Sequence, residues 1–241
     1  MTYGFSTGAL ALGELARGLD LVRGAELKAV ELSALREREL EPFLRSLATL
    51  DLSGFEFVSV HAPSRFAGYE TEALAAERLL EVLPDDWPVV LHPDASRDLS
   101  LWSRFGERLL VENMDKRKRT GRSAEELSDV FDRLPQARLC FDIAHARQVD
   151  PSMLEAWRIL DRFGGRVGQV HISELNTASS HCRISNAAIR AFGQVARLIP
   201  PQTPIILESL MTAVENLREE IPTEVERARR ALEPAAATRV A

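Results

Sequence analysis

The sequence predicts a single (β/α)8 barrel, and three observations carry that prediction. Short β-rich runs alternate with longer helical patterns eight times along the chain, and strict alternation implies parallel strands joined by helical crossovers. The length of 241 residues is close to the roughly 250 typical of such a barrel. The first turn reads Phe5-Ser6-Thr7-Gly8, without the G-x-G-x-x-G that usually opens a doubly wound sheet.

The elements follow in order. A brief strand over Tyr3–Thr7 leads into a helix over Thr7–Leu21, spaced by Leu10, Leu12, Leu15 and Leu19. A second strand covers Ala29–Ser33 and a second helix Leu35–Leu50. Phe55–His61 is the third strand, with Val58 and Val60 alternating, and Tyr69–Leu83 reads as helix. Pro88–His92 is the fourth strand, followed by a short helix over Leu99–Glu107. Leu109–Asn113 is the fifth strand; the helix Ser123–Leu134 opens with a capping box, Ser123 to Glu126. Arg138–Asp142 is the sixth strand, then a helix over Pro151–Phe163 with Asp150 as N-cap and Pro151 at its first position. Val167–Ile172 and Pro204–Glu208 are the last two strands, with a helix over Asn186–Leu198 between them. A final helix runs from about Thr212 to Leu232, where Pro222 is expected to make a break. Residues 1–233 thus form one barrel domain, and 234–241 are expected to be a loose tail.

Composition narrows the function classes. The chain is 45% hydrophobic and 27% charged, ordinary for a globular protein. No run approaches the ~20 apolar residues of a membrane span, and the first nine residues lack the basic-then-apolar pattern of a signal peptide. The two cysteines, Cys140 and Cys182, make no disulfide framework, so a reducing, cytoplasmic compartment is expected. The net charge is −6, which removes the overall attraction that a DNA-tracking protein uses. A small-molecule substrate is therefore expected rather than nucleic acid. Dimers are common among barrels, so a homodimer is kept open, with no interface signature in the sequence.

The polar residues that carry chemistry gather at strand ends. Of the five histidines, His61, His92 and His171 close strands three, four and seven; His145 lies just past strand six and His181 in the loop after strand seven. Glu112, Asp142 and Glu208 end strands five, six and eight, and Glu31 ends strand two. Each acid follows an apolar run, where charge is expensive unless paired or metal-bound. The C-terminal strand ends of a barrel converge on one mouth, the place where active sites of this fold are built. Imidazole with carboxylate suits zinc, manganese, iron or cobalt. His61, His92, Glu112, Asp142, His145, His171, His181 and Glu208 are the metal-ligand candidates, enough for one to three ions.

At these residues the chain resembles the xylose isomerase-like barrel superfamily, which contains sugar isomerases and epimerases as well as endonuclease IV. The resemblance covers nearly the whole chain. It rests on Ser6-Thr7-Gly8, Glu31-Leu32-Ser33, His61-Ala62-Pro63, His92-Pro93, Glu112-Asn113, Phe141-Asp142-x-x-His145, His171-x-x-Glu174, His181 and Leu207-Glu208. In the isomerase branch the resemblance implies metal on Glu112, Asp142, His171 and Glu208, with His145 touching substrate. In the endonuclease branch it implies a first metal on His61 and His92, with Glu112 bridging to a second on Asp142, His171 and Glu208. His145 and His181 would help hold a third. That branch carries an Asp two residues before the last His, and this chain has Ser179 there, leaving a third site one carboxylate short.

Three reactions follow from this ligand set. The first is isomerisation or epimerisation of a small sugar-like hydroxy-carbonyl compound through an enediolate. Mn2+, Co2+ or Mg2+ would act as Lewis acid, and Glu112 and Glu208 would be the catalytic acid–base pair. Glu31, His145, Glu174 and Arg183 are the candidates for substrate contact. Trp102 and Phe66 could line an apolar wall, although core packing is the simpler role for both. The second reaction is phosphoester hydrolysis at two or three Zn2+-like ions, favoured by His61 and His92. Against it stand the acidic net charge, Ser179 and the shortness of most loops. The basic loop Lys116–Arg122 could hold a substrate phosphate or simply be solvated. The third is redox chemistry at Fe2+ on the same ligands.

Overall fold

The computed structural model describes residues 1–34, 36–213 and 215–233. Eight parallel strands close into a barrel: β1 Tyr3–Ser6, β2 Ala29–Ser33, β3 Phe57–His61, β4 Val89–Leu91, β5 Leu109–Glu112, β6 Arg138–Asp142, β7 Val167–Ile172 and β10 Ile205–Leu207. β10 pairs with both β1 and β7, and β1 pairs with β2, so every barrel strand has two neighbours. Two short strands outside the barrel, β8 Glu174–Leu175 and β9 His181–Cys182, pair antiparallel. Closure is tightest where β1 crosses β2: a Cβ on Gly4 would lie 2.0 Å from the Ala29 carbonyl oxygen, so only glycine fits there.

The helices form the outer ring, with most of the apolar core between them and the strands. The predicted first helix is two helices, α1 Thr7–Ala11 and α2 Leu15–Gly24. Between them Leu12 (φ 45°) and Gly13 (φ 96°) turn through the left-handed region, which stops the first helix despite the continuous leucine spacing. α3 spans Glu37–Leu47, α4 Tyr69–Val82 and α5 Ala124–Arg133. Ser123 caps α5 by accepting from the Glu126 amide at 3.2 Å. The predicted Leu99–Glu107 helix is a 3-10 segment, Leu99–Arg108, interrupted at Gly106.

Three further segments depart from the expectations. α6, Ile143–Val149, was not anticipated; Asp142 caps it by accepting from the His145 amide at 2.6 Å. α7 runs Leu154–Phe163 with Met153, not Asp150, at its N-cap. Asp150 instead orders the turn ahead of it, accepting from the Ser152 amide at 3.0 Å and the Glu155 amide at 3.1 Å. α8, Asn186–Phe192, stops short of the expected Leu198, and Ala196–Leu198 is a separate 3-10 turn.

α9 spans Leu217–Leu232 straight through Pro222, so the expected break does not occur. A proline in a helix interior costs about 3 kcal/mol. Here Leu217, Ile221, Val225, Ala228 and Leu232 form one buried stripe whose packing outweighs that loss. The tail expected over 234–241 lies outside the described residues. Among the described residues no helix is long and apolar enough to cross a membrane.

Candidate metal centre

Alternation along each strand decides what enters the barrel. Side chains two apart share a face, so His61 and Ser59, Glu112 and Leu110, Asp142 and Cys140, and His171 and Gln169 all point inward. Register then sets depth. Asp142 sits beside His171, Glu112 beside Cys140, and His61 beside Ser33. His92 and Glu208 each lie one residue beyond the end of a strand. The outcome is a single polar mouth at the C-terminal ends of β3 to β7 and β10.

Glu112 is the hub. Its Oε2 lies 3.1 Å from His92 Nε2, 3.4 Å from His61 Nε2 and 3.5 Å from His171 Nδ1. Its Oε1 lies 3.2 Å from His145 Nδ1. Glu208 Oε2 is 3.4 Å from His171 Nδ1 and 3.8 Å from His181 Nε2. Asp142 Oδ2 is 3.6 Å from His145 Nδ1. Ligand atoms of Glu112, Asp142, His171 and Glu208 lie within 4.8 Å of one another; so do those of His61, His92 and Glu112, and those of Asp142, His145 and His181. All eight ligand candidates therefore converge.

Most of the imidazoles are anchored from behind. His61 Nδ1 is 2.7 Å from the Ala62 carbonyl, His145 Nδ1 is 2.9 Å from the Asn113 carbonyl and His181 Nδ1 is 2.8 Å from Ser173 Oγ. A carbonyl can only accept, so His61 and His145 donate from Nδ1, and in the neutral ring Nε2 carries the lone pair. Asn113 braces the centre a second time: its side-chain amide donates to the Asp142 carbonyl and accepts from the Asp142 amide, each at 2.8 Å.

The electrostatics are those of a crowded, buried cluster. Burial lowers His61 and His145, but the Glu112 and Asp142 carboxylates beside them prevail, raising His61 to about 9 and His145 to about 10. His171 is likewise raised well above its ordinary value by the surrounding acids, against burial. For His92 and His181 burial prevails and both fall to about 4. Burial would raise Glu112, yet the imidazoles on every side hold it well below the usual carboxylate range. Asp142 and Glu208 are raised, chiefly by burial.

The residues fit a divalent cation. Both Glu112 carboxylate oxygens, Asp142 Oδ2 and His171 Nδ1 are buried and make no hydrogen bond. Buried polar atoms left in that condition are rare and call for an explanation. A metal ion is one that satisfies all of them, and the mixed nitrogen and oxygen donor set suits Zn2+, Mn2+, Fe2+ or Co2+.

The centre opens into a cavity of 390 Å3. His61, His92, Glu112, His145, His181 and Glu208 form its floor, with Lys118 on its wall. Leu12 and Leu210, exposed at 65% and 43%, give it an apolar lip. Lys118 is paired with Asp94 at 3.3 Å, and Arg117 with Asp115 at 3.3 Å. Arg117 also donates to the Ala178 and Ser179 carbonyls, so the basic loop is tied down on this side.

Several expected contacts fall elsewhere. Glu31 is fully buried below the centre and does not line the cavity, because it sits one pleat period below Ser33. Glu174 is bonded to Arg147 at 2.7 Å and to the Ser185 amide, and borders a separate cleft of 230 Å3. Arg183 is held by Glu220 and Glu224 of α9. Trp102 is core, packed on Phe66 and Phe105, with its indole N–H donating to Glu72 at 2.9 Å. Ser179 donates its hydroxyl to Gln148 at 2.8 Å. Sequence reasoning missed Gln169, although its place two residues before His171 marks it as inward-facing.

No protein-family model matches the chain, and no curated protein sequence does. Solved structures do. An L-ribulose 3-epimerase superposes with a TM-score of 0.58 at 16% identity, covering 99% of each chain. The 3-keto-D-glucoside 4-epimerase of E. coli gives 0.58 at 10% identity, over 95% of this chain and 99% of that one. A xylose isomerase-like TIM barrel/4-hydroxyphenylpyruvate dioxygenase fusion protein gives 0.59 at 16% identity, over 94% of this chain and 42% of that one. The fold of this chain is that of the xylose isomerase-like TIM barrels.

Proposed function

We propose that the protein is a divalent-metal-dependent isomerase or epimerase of a small sugar-like hydroxy-carbonyl compound. One observation carries this reading: the ligand atoms of Glu112, Asp142, His171 and Glu208 converge, and Glu112 and Glu208 of that group reach the floor of a cavity sized for a small molecule. The epimerases that share the fold support it by analogy. When bound, a divalent ion would polarise the substrate carbonyl and lower the barrier to forming an enediolate. Glu112 and Glu208 are the acid–base pair. Glu112 is held ionised by its imidazoles, while burial favours the protonated form of Glu208, the contrast expected of a base and an acid working together. His145 is positioned to hold a substrate hydroxyl, since it lines the cavity and is fixed through Nδ1. The test is proton exchange: ketopentoses and ketohexoses incubated in D2O with Mn2+- or Co2+-loaded protein should gain deuterium at the carbon beside the carbonyl. No exchange with any of them would sink the reading.

A second reading is metal-dependent phosphoester hydrolysis. It is favoured by His61 and His92 standing within 3.4 Å of Glu112, where a one-metal isomerase has no need of them. The hydroxyl of Ser179, committed to Gln148, counts against a third carboxylate-supported ion. Hydrolysis of a simple phosphodiester by Zn2+-loaded protein, absent in His61→Ala, would move the assignment there.

A further inference from the structure

We propose that Glu31 is the positioning residue of the metal centre. It fixes the His171 imidazole in the tautomer that presents Nδ1, and it strengthens that nitrogen as a ligand. The inference rests on the metal-centre reading above and adds a layer to it.

The layer two residues below the centre divides sharply. On β4, β5, β6 and β10 it holds Val90, Leu110, Cys140 and Ile206, the small or branched filling expected inside such a barrel. On β2, β3 and β7 it holds Glu31, Ser59 and Gln169, all fully buried. A carboxylate deprived of water is costly unless something nearby makes use of its charge. Of the polar residues, Glu31 and Gln169 lie against His171.

His171 is held between two acidic environments. Its Nδ1 faces the centre, 3.4 Å from Glu208 and 3.5 Å from Glu112. Its Nε2 faces inward, 2.9 Å from Glu31 Oε2. A carboxylate oxygen at that distance accepts, so Nε2 carries the hydrogen, and in the neutral ring that a metal requires Nδ1 keeps its lone pair for the centre. Gln169 Nε2 lies 2.7 Å from both Glu31 Oε2 and His171 Nε2, and with His171 Nε2 protonated it donates to the carboxylate oxygen alone. A carboxylate behind a ligating imidazole orients the ring and raises its basicity, and removing such a partner typically weakens metal binding about 10–100-fold.

The test uses the full chain, with Zn2+ and Mn2+ dissociation constants measured by chelator competition. Glu31→Leu should weaken both by about 10–100-fold. Glu31→Gln, nearly the same shape, should fall between Leu and wild type, because an amide oxygen accepts the Nε2 hydrogen without the charge. If Glu31→Leu fails to fold, Glu31→Gln carries the test. In the zinc-loaded, 15N-histidine-labelled chain, the His171 Nε2 proton should resonate far downfield and exchange slowly, and should move upfield in Glu31→Gln. A purely structural Glu31 would not move that signal. Affinities within twofold of wild type and an unmoved proton, with metal still lost in His171→Ala, would overturn the role of Glu31 alone. Metal retained in His171→Ala, or none bound by wild type, would overturn the centre itself and this role with it.

Discussion

Replacing Glu112 by Gln removes the negative charge that four imidazoles face at 3.1–3.5 Å. His61 is the cleanest reporter. Burial pushes its proton off; the Glu112 carboxylate 3.4 Å away, with smaller help from Glu31 and Glu208, holds it on and raises it from 6.5 to about 9. Without Glu112 burial regains the advantage, and the His61 pKa should fall. The wild-type displacement corresponds to about 3 kcal/mol, each tenfold in proton affinity being worth about 1.4 kcal/mol. The sign follows from the direction. A histidine raised on folding stabilises fully below pH 6.5, and that contribution is lost as pH rises through about 9. Metal-free wild type should therefore lose about 2–3 kcal/mol more than Glu112→Gln across that window, roughly 4–12 °C in Tm for a domain of this size. The assay is a histidine Hε1 NMR titration of both metal-free proteins, with thermal melts at pH 6.5 and 9. If His61 titrates as high in the variant as in wild type, near 9, the hub role of Glu112 is refuted.

Other predictions are independent of that one. Glu208→Gln should abolish deuterium wash-in, a loss of at least about 10²–10⁴ in rate for an acid–base residue, while the fold stays intact by circular dichroism; unchanged exchange would remove Glu208 from the chemistry. In metal-free protein the ligating His171 is held protonated well above its ordinary range by the acids around it, against burial, so metal uptake at neutral pH should release protons and tighten as pH rises. Calorimetry in buffers of different ionisation enthalpy would detect this, and uptake without proton release would contradict it. Trp102→Ala should cost about 3–5 kcal/mol as a large-to-small core change, with metal content unchanged. A loss of metal there would mean that Trp102 belongs to the site after all.

How much of this was legible beforehand depends on the length scale. Each barrel strand announces itself: Val58 and Val60 alternate toward His61, and Leu110-Val111 runs into Glu112. A polar residue closing an apolar strand is readable locally, and barrel topology then gathers such residues without further information. Two kinds of feature were not readable. The first is short structure. α6 has seven residues, and β8 and β9 two each, too few for a period to show. α6 exists because Asp142 caps it. The second is depth. Glu31 and Ser33 share a face, and only the pairing of Ser33 with His61 shows that Glu31 lies a layer below, against His171. Glu174, from the His171-x-x-Glu174 motif, and Arg183 are expected at the site from sequence, whereas Glu220 and Glu224, 37 and 41 residues from Arg183, decide where the Arg183 side chain goes.

The most direct test of the central claim is metal content per chain, by plasma mass spectrometry on protein purified without a histidine tag. The geometry of Glu112, Asp142, His171 and Glu208 predicts about one tightly held equivalent, lost in His171→Ala and kept in His61→Ala. Two equivalents, one of them lost in His61→Ala, would support the hydrolytic reading instead. No metal, even after incubation with Mn2+, Zn2+ or Fe2+, would contradict the account and leave only the barrel.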